Sequence, residues 1–380
     1  MIDFIVIKAI TKKEIRQLRR EKRMLLIIFI FPLFLLVIFG YAINLDVKHI
    51  QLAVLDFDRT RETRTIINSL ISSEYFDLVG YINNYKEADK ILNTNKAQLV
   101  IVFPKGFTKD FFNKNSAKIQ FFIDGINGNT SNIIYNYSKL AANFFTFKRL
   151  QEIAHLSSKK PIYTVQLEPR FWYNPELKSN IFLVPGLIGI IIILTSAITV
   201  SLSIVKEKER NTIEQILISP ISPLEFIVGK SFPYMALAFI NSILVVVFGH
   251  IIFGVPVKGN LLLLTIALIF YIYSSSSIGI FVSIVANNQL VAFLMVVIIS
   301  VLPSMLLSGF IFPIESMPFV IQLITNLTPA KFFLSIIRGL LLKDVGLSIL
   351  LLDYIYLICY GTIFIVLSFV VYKRGLRISL

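Results

Sequence analysis

The chain has 380 residues, of which 56% are hydrophobic and only 16% charged, with a mean hydropathy of +0.75. Soluble domains average about 25% charged residues, so this composition excludes an ordinary soluble globule and places the chain in the membrane class. The formal charge of +14 does not point to nucleic acid, because the cations gather at the edges of apolar runs, eight of them (Lys8, Lys12, Lys13, Arg16, Arg19, Arg20, Lys22 and Arg23) within the first 23 residues.

A single cysteine, Cys359, rules out an internal disulfide or a cysteine-based zinc site, and His49, His155 and His250 have no ligand spacing. Residues 1–23 are expected to hold an amphipathic elbow helix on the cytoplasmic membrane face. Phe4, Ile7, Thr11, Ile15 and Leu18 share one side of it, and the basic residues take the remainder. A basic tail that only fixes orientation is the plainer alternative. Residues 24–43 carry no charge and are long enough to cross ~30 Å of hydrocarbon. They form the first span, uncleaved, with its amino end inside; Pro32 is tolerated if neighbouring helices pack around it.

Residues 44–179 change character and are expected to form an α/β domain outside the cell. Strands are predicted at 51–58, 76–82, 97–103 and 117–123, and helices at 61–73, 85–93 and 129–156, in the order βαβαββα. Asp56 and Asp58 resemble half of an acidic site, but a strand-end turn accounts for them better. Asn129, Asn136 and Asn326 open glycosylation sequons. Trp172 and Tyr173 suit a membrane interface, and Asn174-Pro175 a chain reversal.

Five further spans are predicted at 181–205, 226–253, 261–285, 290–311 and 349–371, which makes six and returns the carboxyl end to the cytoplasm. Lys373, Arg374 and Arg377 agree with that orientation. The fold class is therefore an α-helical polytopic membrane protein with six transmembrane helices and an inserted extracytoplasmic α/β domain. Between the second and third spans lies the polar loop KEKERNTIEQILISPISPLEFIVGK (206–230). Asn211 and Glu214 read as helix-start signals, Ile213, Ile216 and Leu217 as one apolar face, and Pro220 as the stop. Ser222, Pro223 and Glu225 repeat the start signal for the third span. A short capped helix between two spans suits a lever pushed from the cytoplasm. Between the fifth and sixth spans, residues 312–343 hold two apolar helical pieces of 10 to 14 residues, preceded by Ser316 and Thr328 and too short to cross. A re-entrant plug at the outer mouth is the expectation, shaped by Gly309, Pro313, Glu315, Pro318, Pro329, Arg338 and Gly339.

Catalytic motifs are absent. Gly229-Lys230-Ser231 resembles the end of a phosphate-binding loop, but the position that needs the first glycine holds Leu224 and no strand precedes it. There is no G-x-S-x-G and no H-E-x-x-H. The spans carry hydroxyls and amides (Thr195, Ser196, Thr199, Ser201, Ser203, Asn241, Ser274–Ser277) but few ionisable groups, chiefly Asp353 and Glu225 near span ends. Such hydroxyls more often pack helices than line a path. With neither an ATP site nor an ion relay, uphill transport needs energy from another subunit.

Three blocks carry a family resemblance: WYNPELKSNIFLVPGLIGI (172–190), SIVKEKERNTIEQILISPISPLEFIVGKSFPY (203–234) and LLSGFIFPIESMPFVIQLITNLTPAKFFLSIIRGLLLK (306–343). They resemble ABC-2 type permeases, in particular bacterial exporters with a large extracytoplasmic domain after the first span. LAVLDFDRT and VIVFPKGF within that domain fit as well. The resemblance implies a plasma-membrane export subunit that pairs with a second permease, a like or a sister chain, and recruits a separate ABC ATPase holding ATP and Mg. A periplasmic adaptor is a further implied partner, and this chain binds no cofactor itself. It also implies that Glu207, Glu209, Arg210, Thr212, Glu214, Gln215, Ile216 and Leu217 belong to the ATPase-coupling segment. Asn211 stands where the family often has Gly. Two rivals remain: a subunit that relays force to a periplasmic partner without passing substrate, and an intramembrane enzyme.

Overall fold

The computed structural model describes residues 3–42, 49–72, 75–113, 117–125, 131, 134–139, 172–174, 178–210 and 221–378. Two compact units emerge, Leu45–Arg170 and the remainder, Met1–Asn44 with Phe171–Leu380.

The larger unit is helical. Its elements are α1 (Phe4–Arg20), α2 (Lys22–Ala42), α6 (Ser179–Glu209), α7 (Pro223–Phe253), α8 (Leu261–Val285), α9 (Gln289–Leu307), α10 (Phe319–Thr325), α11 (Pro329–Arg338) and α12 (Leu347–Ile378). Six of these (α2, α6, α7, α8, α9 and α12) are long and apolar enough to cross a membrane, at the positions expected. Helix α2 runs through Pro32 without ending. The spans differ in how much protein surrounds them. Within its apolar window α6 is 78% buried, against 17% for α2 and 22% for α12, so α6 is the post around which the others stand. Its 31 residues make a rod of ~46 Å, which outreaches the ~30 Å hydrocarbon layer. Most span hydroxyls back-bond to their own helix: Thr195 to Ile191 O, Ser196 to Ile192 O, Thr199 to Thr195 O and Ser275 to Tyr271 O. These hydroxyls are satisfied within their own helices.

Two expectations about these helices change. The apolar stripe assigned to α1 is divided by its surroundings: Phe4 and Ile15 are exposed, while Leu18, with Glu14 beside it, is buried. The inward face of α1 is set by its contact with α7 and not by hydropathy alone. The re-entrant pieces are also unequal. The first, α10, has seven residues and starts at Pro318, while the Ser316 hydroxyl bonds to Pro313 O inside a preceding 3-10 turn. The second, α11, starts at Pro329 as expected and continues through a π turn, Gly339–Lys343; the two pieces meet at 83°.

The smaller unit holds a four-stranded sheet in the order β2-β1-β3-β4, with β1 (Ile50–Asp56) parallel to β2 (Phe76–Tyr81) and to β3 (Leu99–Phe103), and β4 (Gln120–Ile123) antiparallel to β3. Helices α3 (Arg61–Ile71) and α4 (Tyr85–Asn93) are the crossovers. Because the chain steps from β1 to one side and from β2 back past it to the other, right-handed crossovers place α3 and α4 on opposite faces. Side-chain alternation agrees: Leu52, Val54 and Ile101 pack with Ile66, Ile67 and Leu70 of α3, while Ala53, Leu55 and Val100 pack with Ala88 of α4. A helix not expected from the sequence, α5 (Phe107–Asn113), follows β3. Its signal is the Phe107–Phe111 pair at four-residue spacing, whose rings stack 5.7 Å apart, with Phe107 set 5.3 Å from Phe103. The expected helix at 129–156 lies for the most part outside the described residues. Asp56 and Asp58 are turn residues. Asp56 accepts from the amides of Asp58 and Arg59 and from Thr63 Oγ1, and Asp58 from the amides of Gly106 and Thr108.

Candidate functional site

The segment of greatest interest is the stem of the loop between α6 and α7. Residues 211–220, including Thr212, Glu214, Gln215, Ile216 and Leu217, lie outside the described residues, but both ends of the loop are described. Four consecutive residues close α6: Lys206, Glu207, Lys208 and Glu209. In a helix each successive side chain turns by ~100°, so four in a row point in every direction around the axis. All four nevertheless find partners, because elements stand on several sides of the end of α6.

Each anchors to a different neighbour. Lys206 Nζ donates to both carboxylate oxygens of Glu21 (2.9 and 3.1 Å), at the junction of α1 and α2. That hydrogen bond is the main reason the Glu21 carboxyl is held below its ordinary value. Glu207 accepts from Lys230 Nζ of α7 at 2.7 Å, with Lys13 Nζ of α1 3.7 Å away. Lys208 Nζ donates to the carbonyls of Ile284 (2.7 Å) and Ala286 (3.2 Å), where α8 ends. Glu209 accepts from the Gln289 amide (2.6 Å) and from Gln289 Nε2, where α9 starts. A cation on a helix C-terminus and an anion on a helix N-terminus are the favourable signs for the helix dipoles.

On the other side of the loop, Ser222 and Glu225 form the expected reciprocal cap of α7, with Pro223 in its first turn. Glu225 also accepts from the Asp3 amide at 2.7 Å, while the Asp3 carboxylate caps α1 through the Ile5 amide. Farther along, Thr11 Oγ1 donates to Gly229 O at 3.0 Å. A Cβ on Gly229 would stand 3.0 Å from Ile10 Cβ and 3.1 Å from Ile7 O, so only glycine lets α1 approach this closely.

Beneath that contact lies a cluster not foreseen from the sequence. Lys230 is 2% exposed and donates to Glu207 and, at 3.0 Å, to Glu14, which is 1% exposed; Tyr234 Oη donates to Glu14 at 3.4 Å. In the sequence, Gly229-Lys230-Ser231 stands out only as a failed phosphate loop. The overlooked signal was a lysine two turns inside an apolar span, which must find a counter-ion. Glu207, expected at a docking surface, is thus turned inward as a brace, whereas Glu209 and Arg210 stay exposed.

The opposite end of α6 meets the broken segment. Arg338 Nη1 donates to Gly309 O (3.0 Å) and Nη2 to Phe182 O (3.4 Å), with the guanidinium 4.0 Å above the Phe182 ring. Gly309 has φ +80°, the left-handed turn that sends Phe310 back against Gly186. Tyr271 Oη donates to Gly189 O at 2.9 Å and its ring stacks on Phe333 of α11 at 4.0 Å. Gly309, Pro329, Arg338 and Gly339 therefore lie on the packed side of this segment, and Pro313, Glu315 and Pro318 on an exposed lip.

A sequence model described as ABC-2 family transporter protein matches residues 22–370, nearly the whole chain. The chain belongs to that family. Among relatives of this ABC-2 permease, the probable multidrug ABC transporter permease YbhS of Escherichia coli K12 is 32% identical over 371 residues, covering 97% of each chain. YbhR of the same organism, also a probable multidrug ABC transporter permease, is 29% identical over 90% of this chain and 91% of its own. The inner membrane transport permease YhhJ is 25% identical over 95% of each. The multi-span architecture and the permease character expected from the sequence are thus established.

Proposed function

We propose that this ABC-2 permease is the transmembrane subunit of an exporter that moves hydrophobic or amphipathic, drug-like or lipid-like substrates outward, driven by ATP and Mg held in a separate ABC ATPase. The ATPase docks on the 206–225 loop. Both chain termini then face the cytoplasm, the inserted α/β unit lies outside a bacterial inner membrane, and a second permease, like or sister, completes the pathway. A periplasmic adaptor on the outer side is compatible with this arrangement.

The observation that carries the reading is the four-way anchoring of Lys206 to Glu209 at the loop stem. A loop that only joined two spans would need no such bracing. One that receives a push must hand the displacement to several helices at once, and this stem grips the α1–α2 junction, α7, α8 and α9. Expulsion then requires that substrate affinity differ between the two arrangements of the spans. The multidrug label of the YbhS and YbhR relatives supports the drug-like substrate class.

The test is co-purification of the tagged full chain with a co-expressed ABC ATPase from the same membrane. Replacing Glu214, Ile216 and Leu217 with Ala is expected to weaken capture by ~30-fold, the effect of losing about 2 kcal/mol at an interface, with membrane insertion retained. Undiminished capture removes the docking assignment.

A further inference from the structure

The docking reading sends motion through α6 and α7, the helices that leave the loop. The buried Lys230 cluster adds a third recipient. Lys230 takes one carboxylate from α6 (Glu207, 2.7 Å) and one from α1 (Glu14, 3.0 Å) while itself belonging to α7. Around it, Asp3 N on Glu225, Thr11 on Gly229 and Leu18 in the Val200, Ile204, Tyr234 and Ile280 core hold α1 to the same pair at its start, middle and end. All three charges are nearly dry, so separating any one from the others strands an ion away from water. A joint of this kind is either whole or broken; it does not stretch.

We propose that Lys230 is a positioning residue that makes α1 a moving part of the coupling machinery, so that displacement of the loop reaches the first span, α2, as well as α6 and α7. The route onward is short. Helix α1 ends at Arg20, α2 begins at Lys22, and the residue between them, Glu21, is itself held by Lys206 of α6. Because residues 45–170 are inserted between α2 and α6, both chain connections of the α/β unit then start from helices driven by one joint. This rests on the docking reading and adds to it the path by which a push at the loop reaches the inserted unit.

The experiment uses the full chain with its co-expressed ATPase in proteoliposomes, with Cys359→Ser as background. Maleimide labelling rates are read at two single cysteines, Arg210→Cys at the stem and Tyr41→Cys at the far end of α2, with and without ATP and vanadate. With the cluster intact, both rates are expected to respond. Glu14→Gln with Lys230→Met removes one charge of each sign and leaves Glu207 beside Lys13, which protects folding. In that variant the Arg210→Cys response is expected to persist while the Tyr41→Cys response falls ~5-fold or more, the lower edge of ordinary coupling energies. Lys230→Arg, which keeps a cation between Glu14 and Glu207, is expected to retain the Tyr41→Cys response. A Tyr41→Cys response that survives the double substitution, or is lost in Lys230→Arg, overturns the proposal. No response at Arg210→Cys with the cluster intact overturns the docking reading and this one with it.

Discussion

The two ends of α6 are held by different physics. At the loop end, Lys206 to Glu209 grip four neighbours through ion pairs and helix-end hydrogen bonds, with a dry charge cluster at the centre. At the other end, Gly186 and Gly189 let the aromatic residues Phe310 and Phe333 press against the backbone, and Arg338 is met by carbonyls and a ring instead of a carboxylate. The charge-assisted hydrogen bonds of the first end are directional, and a buried charge whose partner leaves is stranded away from water. Close packing resists in all directions and yields only by moving whole side chains. A helix held in these two ways suits a lever, with a jointed end that receives force and a packed end that pivots.

Substitutions that remove one kind of tie at a time break or sharpen this contrast. The largest effect is expected from Lys230→Met, which leaves Glu14 buried without its ammonium and removes the 2.7 Å ion pair of Glu207. A loss of ~3–5 kcal/mol should appear as a sharply lower thermal midpoint in detergent, and Glu14→Gln should recover much of it. Next comes Gly186→Ala. The new Cβ would stand 2.2 Å from a ring carbon of the buried Phe310, so a loss of ~1–3 kcal/mol is expected from overpacking, relieved by Phe310→Leu in the same chain. If Gly186→Ala is neutral, the far end is looser than a pivot requires.

Tyr271→Phe removes the hydroxyl donated to Gly189 O but keeps the stack on Phe333, and about 1 kcal/mol should be lost in the same unfolding assay. The smallest effect concerns Glu21. Its carboxyl is held below the ordinary value of 4.5, so the Lys206 pair contributes fully above that pH and is lost as pH falls through the lowered value. Because the pair is partly exposed, at most ~1 kcal/mol is involved. Glu21→Gln should flatten that acid-side dependence, the two proteins converging in stability once the pH lies well below the lowered value.

These contrasts also separate what was legible in the residues from what was not. The number and limits of the spans, the Ser222–Glu225 cap and the crossovers of the α/β unit follow from local signals: apolar run length, cap spacing and period-two alternation. Helix α5 escaped because its only signal is an aromatic pair set four apart. The buried edge of α1, Glu14 and Leu18, was not legible because hydropathy predicts a face without saying what covers it, and the cover is α7, which brings a lysine.

The sequence by itself determined that this chain crosses a membrane several times, belongs with the ABC-2 permeases and carries a polar loop between its second and third spans, since composition, run length and motif blocks are properties of the chain taken in order. Only the tertiary structure decided which charges are ties and which are surface. Glu14, Glu207 and Lys230 stand 23 to 216 positions apart, and although the place of Lys230 inside an apolar span calls for a counter-ion, nothing local says which carboxylates supply it. The physical reason is that a charge becomes a joint only when packing dries it and supplies its counter-ion, and both come from helices distant in the chain.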